Sequence, residues 1–411
     1  MRILFIHQNF PGQFRHLAPA MQAAGHSVRA LAIQGKGLTG VETFRHQPTL
    51  QPSQTIHPWL AEFETKLIRG TSAMQAMLAM KQEGWSPDLV VTHPAWGEAM
   101  FIKEVWPQTR VLAFLEFYYS ATGRDVGFEP DMQNLNMDML ARLRLKNMTH
   151  MLALECMDHG MAPTHWQRST FPTVWQDRID VIFDGIDTRV VCPDSRPQMQ
   201  LKHPDGTGHT LKVGDEVLTF VARQLEPYRG YHQFMRALPR IQAQRPEAIT
   251  LIVGGDGHSY GNAAPAGSSW KEIFLNEVKD QLDMSRIYFL GTLAYEHYLK
   301  VLQLSACHVY LTYPFVLSWS CVEALSAGCA VVGSNTAPVQ EVIEANQNGL
   351  LCDFFDTQEL AVKVSHILKH PDQYKTMRQQ ARHTAVSRYD LQSQCLPAQQ
   401  KLLTSMVSKS V

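Results

Sequence analysis

The chain has 411 residues, enough for two or three ordinary domains, and 45% of them are apolar, enough for sizeable cores. Charged residues make up 18%, which argues against disorder, and a formal net charge of −1 points to no nucleic-acid partner and no polybasic membrane patch. Seven scattered cysteines without a C-x-x-C pair fit reduced thiols in a cytoplasmic protein better than a disulfide framework. Residues 1–7 are apolar but too short for the core of a signal peptide, and no apolar run approaches the roughly 18 residues that span a bilayer. Weak peripheral association with the inner face of a membrane stays open.

Residues 2–7 read as a buried parallel strand, 8–13 as a loop containing Pro11-Gly12, and 14–24 as a helix with Phe14, Leu17 and Met21 on one face. A second strand follows at 27–33. This opening suits a Rossmann-type half, but the loop lacks G-x-G-x-x-G, which weakens a dinucleotide reading. Gly12 allows a backbone to approach a ligand closely. After an irregular stretch at 36–58, a long helical region fills 59–82, with strands at 87–93 and 110–115 around a helix at 98–105. His93 and Glu116 fall at the carboxyl ends of those strands, where open α/β sheets bind ligands. Both are site candidates, and Tyr118 and Tyr119 join His93 as sugar or acceptor contacts. The plain alternative for His93 is a bond to a neighbouring loop. Helices fill 133–159, short strands 161–164 and 178–183, and Asp184-Gly-Ile-Asp187 is a turn. Residues 192–214 are rich in Pro, Gly, Asp and His without periodicity and read as an interdomain linker.

A second alternation follows. A strand at 216–222 leads into a loop with Arg223 and Arg229, then a helix at 231–244. A strand at 249–253 ends in Gly254-Gly255-Asp256-Gly257. A helix at 270–282, a strand at 286–290 ending near Gly291, and a helix at 293–304 come next. A strand at 308–312 is broken by Pro314, a helix at 320–327 ends at Gly328, and a strand at 329–332 completes the pattern. Helices at 337–344, 358–369 and 372–388 precede a final helix that crosses back to the first domain. The domains are therefore 1–195, a linker at 196–214, a second domain at 215–388, and the returning helix at 389–411.

Four loops at strand ends of the second half carry unusual residues, and parallel strands place them on one side of the sheet. Arg223 and Arg229 can grip a diphosphate bidentately from two sides. Backbone N–H groups of residues 319–321 at a helix start add an anion site. Glu323 fits two roles: a capping box Ser320-x-x-Glu323, or acceptance of both hydroxyls of a ribose. Surface ion pairing for the arginines and a plain turn for the glycines are the bland readings. Their joint order reads as a nucleoside-diphosphate site. There is no D-x-D and no clustered metal-ligand spacing, so no metal cofactor is expected, and the 18 histidines are assigned to surface and packing roles.

At these residues the sequence resembles the family-4 retaining glycosyltransferases. The resemblance runs through Gly12, Asp184-Gly-Ile-Asp187, Arg223…Arg229-Gly230, residues 254–257, Phe289-Leu-Gly291 and Glu323-Ala-Leu-Ser-Ala-Gly328. It implies an α/β GT-B fold: two Rossmann-like parallel-sheet domains facing a central cleft, acceptor side first and donor side second. It implies that Arg223 and Arg229 hold the donor diphosphate and that Glu323, the second Glu of an E-x7-E motif, binds the ribose. The donor-binding set is then Gly12, Arg223, Arg229, Gly254, Gly255, Asp256, Gly257, Phe315, Leu317, Ser318, Trp319, Ser320 and Glu323. Glu116, Arg223, Arg229 and Glu323 are expected to carry the chemistry. The first Glu of E-x7-E falls on Phe315, a catalytically implicated His of the family falls on Glu116, and Arg229 stands for the usual Lys. The expected activity is retaining, metal-independent transfer of a sugar from a UDP-, GDP- or ADP-linked donor to a saccharide or lipid-linked acceptor, as in polysaccharide biosynthesis. A catalytically inactive nucleotide-sugar binder and a sugar-nucleotide epimerase are the alternatives.

Overall fold

The computed structural model describes residues 1–133, 135–203 and 206–408 and divides into two compact units. The first comprises Met1–Gly185 together with the described part of Gln392–Val411. Its strands are β1 (Arg2–Ile6), β2 (Ser27–Ala32), β3 (Glu42–Arg45), β4 (Leu89–Thr92), β5 (Arg110–Phe114), β6 (His159–Ala162) and β7 (Ile179–Val181). All pair in parallel, in the order β3-β2-β1-β4-β5-β6-β7. Alternate residues of β1 feed two cores. Ile3 and Phe5 pack with Phe10, Phe14 and Leu17, while Leu4 and Ile6 pack with Ala73, Met77 and Val90. A strand buried on both faces needs the continuous apolar run seen in the sequence. The order reverses between β1 and β4, which puts the unit's switch-point crevice at their carboxyl ends. The helix Leu396–Ser408 does cross back: Leu402, Leu403 and Met406 join the core built on Ile3 and Phe5. Its expected continuation to 411 lies outside the described residues.

The second unit is Ile186–Leu391. Residues 186–195 belong to it by contact: Ile186 N–H donates to Tyr389 O at 2.9 Å, and Val191 O accepts from Arg382 Nη1 at 2.7 Å. The stretch 196–214, read as an interdomain linker without periodicity, forms an antiparallel hairpin of β8 (Gln198–Lys202) and β9 (Gly208–Lys212). Two short strands show too little alternation to register as a pattern. They are held by Leu201 and Leu211, which enter the core around Leu251 and Val301, and by Tyr288, stacked on His203 at 4.2 Å. Pro204 and Asp205 of that linker lie outside the described residues.

The main sheet is parallel: β10 (Val217–Gln224), β11 (Ile249–Gly255), β12 (Ile287–Gly291), β13 (Cys307–Tyr310), β14 (Val331–Ser334) and β15 (Leu350–Cys352). Its order, β12-β11-β10-β13-β14-β15, puts a second switch point between β10 and β13. Elsewhere the expected helix at 98–105 shrinks to Ile102–Val105, because Gly97 turns the chain at φ +106°. The expected helix at 133–159 splits into Met137–Lys146 and Met148–Cys156 at Asn147, and residue 134 lies outside the described residues. Among the described residues no helix is long and apolar enough to cross a membrane.

Candidate active site

In the first unit, polar side chains converge where the crevice is expected. His7 directly follows β1, His93 directly follows β4, and Glu116 lies two residues past β5. Gln13 Nε2 donates to Glu116 Oε1 at 2.7 Å, and Gln13 Oε1 lies 2.8 Å from His7 Nε2. His7 Nδ1 accepts the Asn9 N–H at 2.9 Å, so the neutral ring carries its proton on Nε2 and donates it to Gln13. On the other side, His93 Nε2 stands 3.3 Å from Glu116 Oε2, and His93 Nδ1 accepts the Ala95 N–H at 3.4 Å. The His93 ring stacks on Trp96 at 4.3 Å.

The charge state follows from these contacts. Burial pushes the Glu116 carboxyl up, but the contacts from His93 and Gln13, with His7 nearby, bring it below the usual carboxylate range. Burial, helped by His93, lowers His7 to about 4. Within the relay His7–Gln13–Glu116, only Glu116 is therefore charged at neutral pH.

His7 and Gln13 were missed in the sequence, where histidines were assigned to packing. The available signal was position: His7 ends β1 as His93 ends β4. The room beside Gly12, read as space for a ligand, is filled by His7. A Cβ on Gly12 would lie 2.3 Å from His7 Nε2, and the backbone there has φ +47°. Tyr118 and Tyr119 turn to neighbouring structure. Tyr118 leans on Phe171 at 5.7 Å, and Lys146 sits 4.0 Å over the Tyr119 ring, whose backbone is bonded on both sides to Asn147.

In the second unit the two arginines differ sharply. Arg223 lies in β10 itself, exposed, with no partner among the described residues. Arg229 is 6% exposed in the turn Pro227–Arg229; its Nη1 donates to Thr312 Oγ1 at 2.9 Å and Val316 O at 3.0 Å, and Tyr260 lies 5.1 Å over its guanidinium. Between them, Glu226 is 1% exposed and its Oε2 accepts the N–H groups of Ser259 and Tyr260 at 3.0 and 3.3 Å, tying that loop down. Sequence reasoning passed over Glu226.

Gly254, Gly255 and Gly257 lack side chains because the end of β10 and the residue after it lie against them. A Cβ on Gly254 would meet Leu225 at 2.8 Å, and one on Gly255 would meet Gln224 Oε1 at 2.4 Å. Gly257 N–H donates to that same oxygen at 2.9 Å, and Asp256 pairs with Lys271 at 3.3 Å.

The helix after β13 runs Trp319–Ser326 and is capped by Ser318, not Ser320. Ser320 N–H points to Ser318 Oγ at 3.4 Å and Cys321 N–H to Ser318 O at 3.1 Å. Glu323 thus sits in the second turn and the capping-box reading fails. Its carboxylate, 7% exposed, accepts from Tyr295 OH at 2.8 Å and Tyr298 OH at 2.7 Å. Neither tyrosine was singled out; their i, i+3 spacing on the helix Tyr295–Leu304 was the usable signal. Phe315 and Leu317 are 5% and 6% exposed, and Phe315 packs edge-on against Tyr228 at 5.6 Å. Among the described residues no three His, Cys, Asp or Glu side chains converge as metal ligands.

Comparison with known proteins shows the family and the fold. Residues 24–191 match the family described as "Glycosyl transferase family 4 group", and residues 208–384 match "Glycosyl transferases group 1". Glycogen synthase of Mycobacterium tuberculosis is 22% identical, covering 96% of this chain and 92% of that one. D-inositol 3-phosphate glycosyltransferase of Rhodococcus jostii is 26% identical over 50% of this chain and 43% of its own. Among solved structures, sucrose-phosphate synthase of Thermosynechococcus elongatus superposes with a TM-score of 0.73 at 17% identity, over the whole of both chains. Anabaena HepE, solved in complex with UDP and glucose, superposes with a TM-score of 0.66 at 15% identity, over 98% of this chain and 100% of that one. With one family model on each unit and GT-B neighbours along its full length, the chain belongs to the family-4 type glycosyltransferases of GT-B fold.

Proposed function

We propose that the protein transfers a sugar from a nucleoside-diphosphate donor to a hydroxyl of a saccharide or lipid-linked acceptor, with retention at the anomeric carbon and without a metal. The bond from the anomeric carbon to the diphosphate oxygen breaks, the bond to the acceptor oxygen forms on the same face, and the acceptor proton passes to the departing diphosphate. The protein's part is electrostatic: Arg223 and Arg229 with the start of the helix Trp319–Ser326 offset the charge that develops on the diphosphate.

The observation that carries this reading is Glu323. It is a nearly buried carboxylate at a switch-point helix, with each oxygen already set by a phenol. A carboxylate accepts from several donors at once, which suits it to the paired hydroxyls of a ribose. HepE, of the same fold, is known with UDP and with UDP-glucose, which makes UDP-sugars the first donors to try.

A thermal-shift panel of UDP, GDP, ADP and their glucose conjugates identifies the donor, since a bound ligand raises the melting temperature by mass action. Turnover of that donor is expected to fall in Glu323→Ala and in Arg223→Ala and to persist in chelator. Unchanged turnover in both variants defeats the reading, and strict dependence on a divalent cation defeats its metal-free form.

A further inference from the structure

We propose that Glu116 and His93 form a site that reads one hydroxyl of the sugar ligand, and that Gln13, backed by His7, is the residue that positions Glu116 for it. The inference rests on the glycosyltransferase reading and deepens it.

The relay has only one workable direction. Asn9 N–H occupies His7 Nδ1, which places the imidazole proton on Nε2 and makes that nitrogen a donor. Gln13 must therefore turn its carbonyl oxygen to His7 and its NH2 to Glu116. The reversed amide would set a carbonyl against the carboxylate and an N–H against an N–H, losing both bonds. The chain Asn9–His7–Gln13 thus dictates which group meets Glu116 Oε1.

Glu116 Oε2 stands on the other side, and its side chain keeps 37% exposure. Next to it is His93 Nε2, on a residue 2% exposed, with no aligned hydrogen-bond partner among the described residues despite the 3.3 Å approach to Oε2. Ala95 N–H occupies His93 Nδ1, so Nε2 is the nitrogen that donates. An anionic acceptor and an N–H donor side by side complement a hydroxyl, which gives one hydrogen bond and takes one. They do not complement a phosphate, which would face the Glu116 charge. The ligand here is a neutral polyol, either the sugar of the donor or the acceptor. The stack of His93 on Trp96 keeps the donor nitrogen from turning away. The other titratable groups whose charge reaches this cluster are His150, buried and lowered to about 3, and Glu98, whose carboxyl burial raises, with Arg69 beside it.

The test uses the full-length protein and the glucose conjugates of UDP, GDP and ADP, read as kcat/KM against pH, with calorimetric affinity for the free diphosphates alongside. Gln13→Glu sets a second carboxylate against Glu116, and the acid limb of the pH profile should rise by about one unit or more. Gln13→Leu should lower kcat/KM by roughly 10- to 100-fold, the range of one hydrogen bond to a charged group, with diphosphate affinity unchanged. If the leucine variant does not fold, the glutamate variant decides alone. Wild-type kcat/KM and pH profile in the Gln13 variants overturn the proposal and leave the transferase reading standing. A wild-type protein that binds none of the diphosphates and turns over none of the conjugates overturns both.

Discussion

Replacing Tyr298 by Phe deletes one hydroxyl and leaves the packing volume almost unchanged, so it isolates what holds Glu323 in place. Tyr298 is 9% exposed and its hydroxyl lies 2.7 Å from Glu323 Oε2, on a residue itself 7% exposed. Burial first, then the Glu323 charge, raises the Tyr298 phenol well above its ordinary value, so it stays a donor at any working pH. A hydrogen bond to a charged group contributes about 1.5–3 kcal/mol, and none of it returns from water at a buried oxygen. For a unit of roughly 200 residues that is roughly 3–12 °C of melting temperature. Tyr295→Phe should cost under about 1 kcal/mol, because Tyr295 is 52% exposed and water can replace its hydroxyl. Urea unfolding of Tyr298→Phe, Glu323→Gln and the double variant gives the coupling directly. A Tyr298→Phe protein as stable as wild type, or a coupling near zero, would refute the idea that the phenols orient the carboxylate.

The two arginines should separate by readout. Arg223→Ala should leave stability within about 0.5 kcal/mol while weakening diphosphate affinity, whereas Arg229→Ala, which removes the buried donor to Thr312 Oγ1 and Val316 O, should cost at least about 2 kcal/mol. Equal stability in both, by urea titration, contradicts this division. Gly12→Ala forces φ +47° on a residue with a Cβ and drives it into the His7 ring, so it should cost about 2 kcal/mol or more and abolish turnover; a fully active, equally stable variant would sink the packing account. Burial lowers His7 to about 4 and His150 and His308 to about 3. Below the ordinary value of about 6.5 the unfolded chain takes up protons that the folded one refuses. Stability is therefore complete above pH 6.5 and falls as pH drops toward 4, and a urea midpoint constant from pH 7 to 4.5 would contradict it.

Most strands and the long helices could be read from the chain because each is an apolar run or an amphipathic stretch bounded by Gly, Pro or Asn. Residues 42–45, read as irregular, and 198–212 were exceptions; in the second stretch the fixing contacts, Leu201, Leu211 and Tyr288, come from packing on another element. The glycines were legible as landmarks but not in purpose. Gly12 makes room for His7, Gly255 for Gln224, and Gly230 for Leu311, whose Cβ would lie 2.3 Å from an added one. A sequence shows that a residue without a side chain is wanted at a position; which neighbour fills the space is set by tertiary approach.

The same limit explains the site. Glu116, His93, Arg223, Arg229 and Glu323 could be placed because strand ends and helix starts in a parallel sheet have a known side. The partners that give those groups their chemistry stand far away in the chain: Gln13 is 103 residues from Glu116, and Tyr298 is 25 from Glu323. Those partners decide function. Arg223, exposed and without a partner among the described residues, is suited to an anion; Arg229, its Nη1 committed to Thr312 and Val316, also shapes the loop that leads to Glu323. At the other switch point a carboxylate flanked by N–H donors is suited to hydroxyls and repels phosphate. A reaction that moves a neutral sugar away from a diphosphate needs one site of each kind, and the proposed function draws one from each unit.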